Sequence, residues 1–148
     1  MFTRIVVGTD GSDTATEAVR QAAELAKSAD ARLDIVAAYT PIRGQRLKEE
    51  SKEAPGDVQY EFSDAEDVNL ALESAKAEVK KSGVSEVETH AVEGDPADAI
   101  IDVAEEVKAD LIVVGNKGMT GARRFLLGSV PNKVSHHAPS SVMIIRTT

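Results

Sequence analysis

The chain contains no cysteine, which excludes disulfides, thiolate chemistry and cysteine-based metal sites. No apolar run approaches the roughly 18 residues that a membrane-spanning helix requires, so no membrane partner is expected. Met1-Phe2-Thr3-Arg4 runs directly into a β-branched stretch, leaving no room for a signal peptide, and the expected location is the cytoplasm. A further absence is local. From Leu111 to Thr148 there is no Asp or Glu, and all 25 acids lie before that point. The same stretch carries Lys117, Arg123, Arg124, Lys133 and Arg146. A net charge of −8 argues against general nucleic-acid binding. A local basic field on an acidic protein suits a small anion better than a polyanion.

With 148 residues, 42% hydrophobic and 28% charged, the chain is expected to form one well-packed domain over residues 1–148. No internal repeat is apparent. Arg4 to Gly8 is a short β-branched run that ends in Thr9-Asp10-Gly11-Ser12, a turn cluster able to cap a helix. Ala15, Ala18, Val19, Ala22, Leu25 and Ala26 then recur at helical spacing. Leu33 to Tyr39 reads as a second strand. Both strands are apolar on both faces, as in a parallel sheet covered by helices on two sides.

Residues 41–62 behave differently. Pro41, Gly44, Pro55 and Gly56 punctuate them, and they read as a flexible surface excursion. Ser63-Asp64-Ala65-Glu66 forms a capping box ahead of a helix through Val68, Leu72, Ala75 and Val79. Val87 to Val92 alternates apolar and polar residues, as a strand near the sheet edge does. Asp95 and Pro96 start another helix as N-cap and first-turn residue. Leu111 to Val114 is a fourth strand, Ser129 to His137 a fourth helix, and Val142 to Ile145 a last strand. Strands alternating with helices imply right-handed crossovers and a parallel sheet.

The most informative spacing follows the fourth strand: Gly115, Gly118 after two residues, then Gly128-Ser129 after nine more. Glycines let main-chain N–H groups approach a ligand with no Cβ in the way. A Gly-Ser pair at a helix start adds unpaired donors, a hydroxyl and the positive end of the helix dipole. The pattern suits phosphate, yet it is neither a Walker A nor a GxGxxG motif. In a five-stranded sheet of order 3-2-1-4-5, ligands sit where the order reverses, between strands one and four. Thr9-Asp10-Gly11-Ser12 and the Gly115–Ser129 loop would meet at that crevice.

Several residues have plainer readings. Asp10 serves equally as a turn residue, and Ser129 as an N-cap whose hydroxyl points where a phosphate would lie. Arg123 and Arg124 are adjacent, so both cannot easily face one ligand. His136 and His137 point about 100° apart on a helix, and a helix C-terminus explains them better than a metal does. His90 reads as structural. Asp95 and Asp98 could hold a cation, but capping explains the first and solvent exposure the second.

Val6-Val7-Gly8-Thr9-Asp10-Gly11-Ser12, Gly94-Asp95-Pro96, the late glycine motif and Phe125-Leu126-Leu127-Gly128-Ser129-Val130 together resemble the universal stress protein family, in its nucleotide-binding branch. The resemblance spans nearly the whole chain. It implies a Rossmann-like α/β domain that dimerises and holds ATP or a related adenine nucleotide, with Mg²⁺ able to accompany ATP. Carried over residue by residue, it implies that Gly115, Gly118, Gly128 and Ser129 hold phosphates and ribose. Val130 and Arg123 are further candidate binding residues, either Arg123 or Arg124 being able to touch phosphate. Asp10 would stand beside the nucleoside, and the Ala38 main chain would pair with the adenine edge. It also implies a homodimer through the edge strand Ser141–Ile145.

Two classes of function follow: a nucleotide-binding regulatory module, or an enzyme that hydrolyses ATP or transfers its phosphate. Phosphoryl transfer needs an oriented nucleophile and usually Mg²⁺. The sequence offers no identifiable base, and no acid after Asp110 to hold a metal near the loop. Binding without efficient turnover is expected, with any ATPase slow. Cyclic AMP or AMP is the alternative ligand, since one phosphate or three can meet the same amides.

Overall fold

In the computed structural model, which describes residues 1–40, 65–116 and 128–147, the apolar runs become β1 (Arg4–Gly8), β2 (Arg32–Tyr39), β3 (Val87–Glu93), β4 (Leu111–Gly115) and β5 (Ser141–Ile145). They form one sheet of order β3-β2-β1-β4-β5, with every pairing parallel. The described helices are α1 (Asp13–Ala29), α2 (Ala65–Lys81), α3 (Pro96–Val107) and α4 (Ser129–His137). This is the doubly covered α/β architecture that the strand–helix alternation implied. The 41–62 excursion and the capping residues Ser63 and Asp64 lie outside the described residues.

The core divides along the pleat, because successive side chains of a strand point to opposite faces. Ile5, Val7, Leu33, Ile35, Leu111 and Val113 pack beneath α1 and α2. Val6, Val36, Ile112 and Val114 pack beneath α3 and α4. Where α1 meets the sheet its stripe is largely alanine, with Ala18, Ala22 and Ala26 buried, which lets helix and sheet backbones approach closely.

Local chemistry sets the helix starts. The Ala15 N–H donates to Ser12 Oγ at 3.0 Å, and the Asp98 N–H donates to Asp95 Oδ2 at 3.0 Å, with Pro96 in the first turn. Both caps supply acceptors for donors that no preceding turn can satisfy.

One charge enters the apolar layer. Asp34 on β2 is 0% exposed, and its Oδ1 lies 2.8 Å from His90 Nε2 on β3 and 3.2 Å from Arg32 Nη2. Burial pushes this carboxyl up, but the hydrogen bonds from His90 and Arg32 outweigh that and hold it below the usual carboxylate range. His90 is therefore structural. At the opposite end of the sheet from the crevice, Asp110 clasps the start of β1, accepting from the Thr3 N–H at 2.8 Å and the Arg4 N–H at 3.0 Å.

Candidate functional site

β1 sends the chain to α1 on one face, and its neighbour β4 sends it to α4 on the other. Adjacent strands thus feed helices on opposite faces, which makes their carboxyl ends the switch point where open α/β sheets hold ligands. The last β1–β4 rung is Val7–Val113. Asp10 and Asn116 stand equally far beyond it, one on each bank.

The β1 bank is a tight turn. Asp10 Oδ1 accepts the Ser12 N–H at 2.9 Å, and Thr9 Oγ1 accepts the Gly11 N–H at 3.1 Å. Gly11 takes φ 80°, a left-handed conformation that suits glycine. Asp10 is thus a turn residue, as its plainer reading had it. No hydrogen bond among the described residues reaches its Oδ2, which remains available to a ligand.

The β4 bank is built on Asn116, which is buried. The Asn116 N–H donates to the Ile145 carbonyl at 2.8 Å, extending the β4–β5 ladder, and the Asn116 carbonyl accepts the Gly128 N–H at 2.9 Å. The chain therefore leaves β4 and returns to the same residue at the start of α4. Gly128, with φ −64° and ψ 168°, is the N-cap of α4 and supplies no side-chain cap. Ser129 is instead the first helical residue, so its hydroxyl is not spent on capping. The first-turn N–H groups of Ser129 and Val130 face outward along the axis with no partner inside the helix, and Pro131 has none to offer. Donors of this kind attract anions.

Ala38 joins the same crevice through its backbone. The Val36 carbonyl accepts the Thr9 N–H at 2.9 Å on the β1 side, while the Tyr39 carbonyl accepts the Gly94 N–H at 3.0 Å on the β3 side. Strand alternation turns the Ala38 peptide groups toward β1, beyond its last rung at Gly8–Val36. Among the described residues no main-chain hydrogen bond takes them up on that side.

The fold thus brings Asp10, Ala38, Gly115, Gly128, Ser129 and Val130 to one end of the sheet. Gly118 and Arg123, with Lys117 and Arg124, lie outside the described residues. Asp95 and Asp98 hold Lys133 of α4 at 3.3 Å and 2.9 Å. These contacts raise the Lys133 ammonium above its usual range and tie α4 to the start of α3. His136 and His137 close α4. Sequence reasoning gave Asn116 no role. Its signal was a buried-type polar residue directly after an apolar strand, between two glycines.

On the far edge, β5 pairs only with β4 among the described residues. The Ile145 carbonyl faces β4, so alternation turns the peptide groups of Val142 and Ile144 outward. Met143 is 37% exposed beside them. Among the described residues no helix is long and apolar enough to cross a membrane.

The universal stress protein family model matches residues 1–146. A universal stress protein of Mycobacterium tuberculosis is 40% identical over 147 residues, covering 99% of this chain and 98% of that protein. A universal stress protein solved in complex with cAMP is 34% identical with a TM-score of 0.74, covering 99% of this chain and 98% of that one. The universal stress protein from Archaeoglobus fulgidus, solved in complex with dAMP, is 30% identical with a TM-score of 0.66, covering 97% and 98% respectively.

Proposed function

The chain belongs to the universal stress protein family, and from that premise we propose that it is a regulatory protein that binds an adenine nucleotide in the β1–β4 crevice. The observation that carries this reading is the convergence of three unlike groups on one cleft. N–H groups with no partner inside the helix open α4 at Ser129 and Val130, Asp10 lies in the turn after β1, and the Ala38 peptide groups face the β1 side beyond its last rung. Phosphate suits the first, a ribose hydroxyl the second, and an adenine edge the third.

ATP is the proposed ligand, because Lys117, Arg123 and Arg124 cluster in the glycine-bounded segment of the sequence and can neutralise a polyphosphate tail. Gly118 and Arg123 are proposed to take phosphate alongside Gly115 and the first turn of α4. Gly128, whose own N–H is engaged by the Asn116 carbonyl, contributes by leaving the helix start without a side chain. Mg²⁺ would arrive with ATP. A monophosphate or cyclic nucleotide is the second reading, favoured by the cAMP and dAMP complexes of the two solved relatives.

Turnover is proposed to be slow or absent. Among the described crevice residues Asp10 is the sole carboxylate, and its Oδ1 is already engaged by Ser12. The protein is proposed to act as a homodimer through Ser141–Ile145, a reading supported by the outward-facing peptide groups of an edge rich in Val, Met and Ile.

Calorimetric titration with ATP, ADP, AMP and cyclic AMP, with and without Mg²⁺, tests the reading. Saturable ATP binding without phosphate release is expected. Preference for the cyclic nucleotide selects the second reading, and turnover of several per second overturns the regulatory one. Absence of binding to all four ligands refutes adenine-nucleotide recognition.

A further inference from the structure

Asn116 holds two separate segments, the start of α4 and the C-terminal strand with its tail, through three different groups. Its N–H donates to the last carbonyl of β5, at Ile145, 2.8 Å away, and its carbonyl accepts the Gly128 N–H at 2.9 Å. Its side-chain Oδ1 accepts both the Thr147 N–H at 2.8 Å and the Thr147 Oγ1 hydroxyl at 3.2 Å. A main-chain N–H can only donate, so the amide orientation is fixed: the oxygen must face Thr147. The residue is 7% exposed, where an unsatisfied polar group is penalised and the alternatives to this arrangement are few.

Resting on the reading above, we propose that Asn116 is a positioning residue that links crevice occupancy to pairing of the β5 edge. A ligand on the first turn of α4 constrains Gly128, the N-cap of that helix. Gly128 is tied directly to the Asn116 carbonyl, and the same residue sets the end of β5 and the tail behind it. Shifting the start of α4 therefore strains the hydrogen bonds at Ile145 and Thr147, which lie at the end of the strand whose outer side is open. Linkage is reciprocal: if the nucleotide changes dimer affinity by some factor, dimerisation changes nucleotide affinity by the same factor.

The test measures that factor. Dimer dissociation constants come from sedimentation equilibrium with and without saturating ATP, on the full chain. Wild type, Thr147→Pro, Asn116→Ala and Asn116→Asp are compared, with thermal unfolding to verify folding. Thr147→Pro removes both donors to Asn116 without touching the crevice. In wild type, ATP is expected to change the dimer constant roughly five-fold or more. Both Thr147→Pro and Asn116→Ala keep the main-chain bonds to Gly128 and Ile145 and lose only the tail contact. The ratio is therefore expected to shrink in them without vanishing, and to survive in Asn116→Asp, which retains the acceptor. A merely structural role would move both affinities and leave their ratio intact, and that result overturns the proposal. A wild-type ratio of one, in a chain that both binds ATP and dimerises, overturns it while leaving the proposed function standing. No ATP binding in calorimetry, or a monomer under all conditions, removes the proposed function itself and the linkage with it.

Discussion

A side-chain carbon on Gly8 would lie 2.4 Å from Ile100 Cδ1 and 3.0 Å from its Cγ1. Helix α3 thus rests on the bare backbone at the end of β1, just where the chain turns into the crevice. Ile100 is buried against Val114 and its neighbours and has little room to retreat. Gly8→Ala should therefore destabilise by overpacking, by about 1–3 kcal/mol. Adding Ile100→Val should recover part of the loss. Urea unfolding of the single and double variants checks this, and additive losses would show that the contact is not the cause.

The buried Asp34 gives stability a dependence on pH. Its folded pKa is lowered from 3.8, and those of Asp95 and Asp110 are lowered from the same value. Glu17 is lowered from 4.5 to about 2 by hydrogen bonds from Arg20 and Gln21. In each case the folded state binds the proton less readily than the unfolded chain. The contribution is complete above the unfolded value and is lost as pH falls through the folded one. Unfolding free energy should decline below about pH 4.5. Asp34→Asn should cost about 1–3 kcal/mol near neutrality, since it weakens charge-assisted hydrogen bonds from the partly exposed Arg32 and His90, and should flatten the acid limb of the profile.

Asp10→Asn separates the turn from the ligand. An amide oxygen can still accept the Ser12 N–H, so the thermal midpoint should stay within a few degrees of wild type. The group presented to the crevice becomes a donor instead of a carboxylate oxygen. Nucleotide affinity should fall roughly ten-fold, the loss of one hydrogen bond to a charged group. Unchanged affinity by calorimetry would remove Asp10 from the site.

Val142→Pro addresses the edge. Its peptide N–H points away from β4, so proline removes no bond of the β4–β5 ladder and suits the outer side of an edge strand. It does remove a donor that a second copy would need. Sedimentation should show a monomer with near-native circular dichroism. A dimer of unchanged affinity would place the self-contact elsewhere.

Much of this architecture was legible because buried parallel strands advertise themselves as short apolar runs, and because caps are local. Ser12 satisfies Ala15, and Asp95 satisfies Asp98, each within a single helical turn. What could not be read depends on register between distant segments. Asp34 finds His90 across 56 positions, and Asp110 finds Thr3 across 107. No spacing in the chain announces either pair. The start of α4 was legible in composition and misread in detail. Serine is the better capping side chain, yet Gly128 takes the cap because its own N–H is pinned to Asn116.

The strand order has a consequence for synthesis. β1 is made before the other strands of the sheet, but one of its two flanking partners, β4, is made only after β2 and β3. A nascent chain that ends at α3 can pair three strands and still own just one bank of the cleft. Ligand can stabilise the native form only after α4 has emerged and docked. On the proposed reading, nucleotide would therefore favour chains that already carry α4 over those interrupted before it.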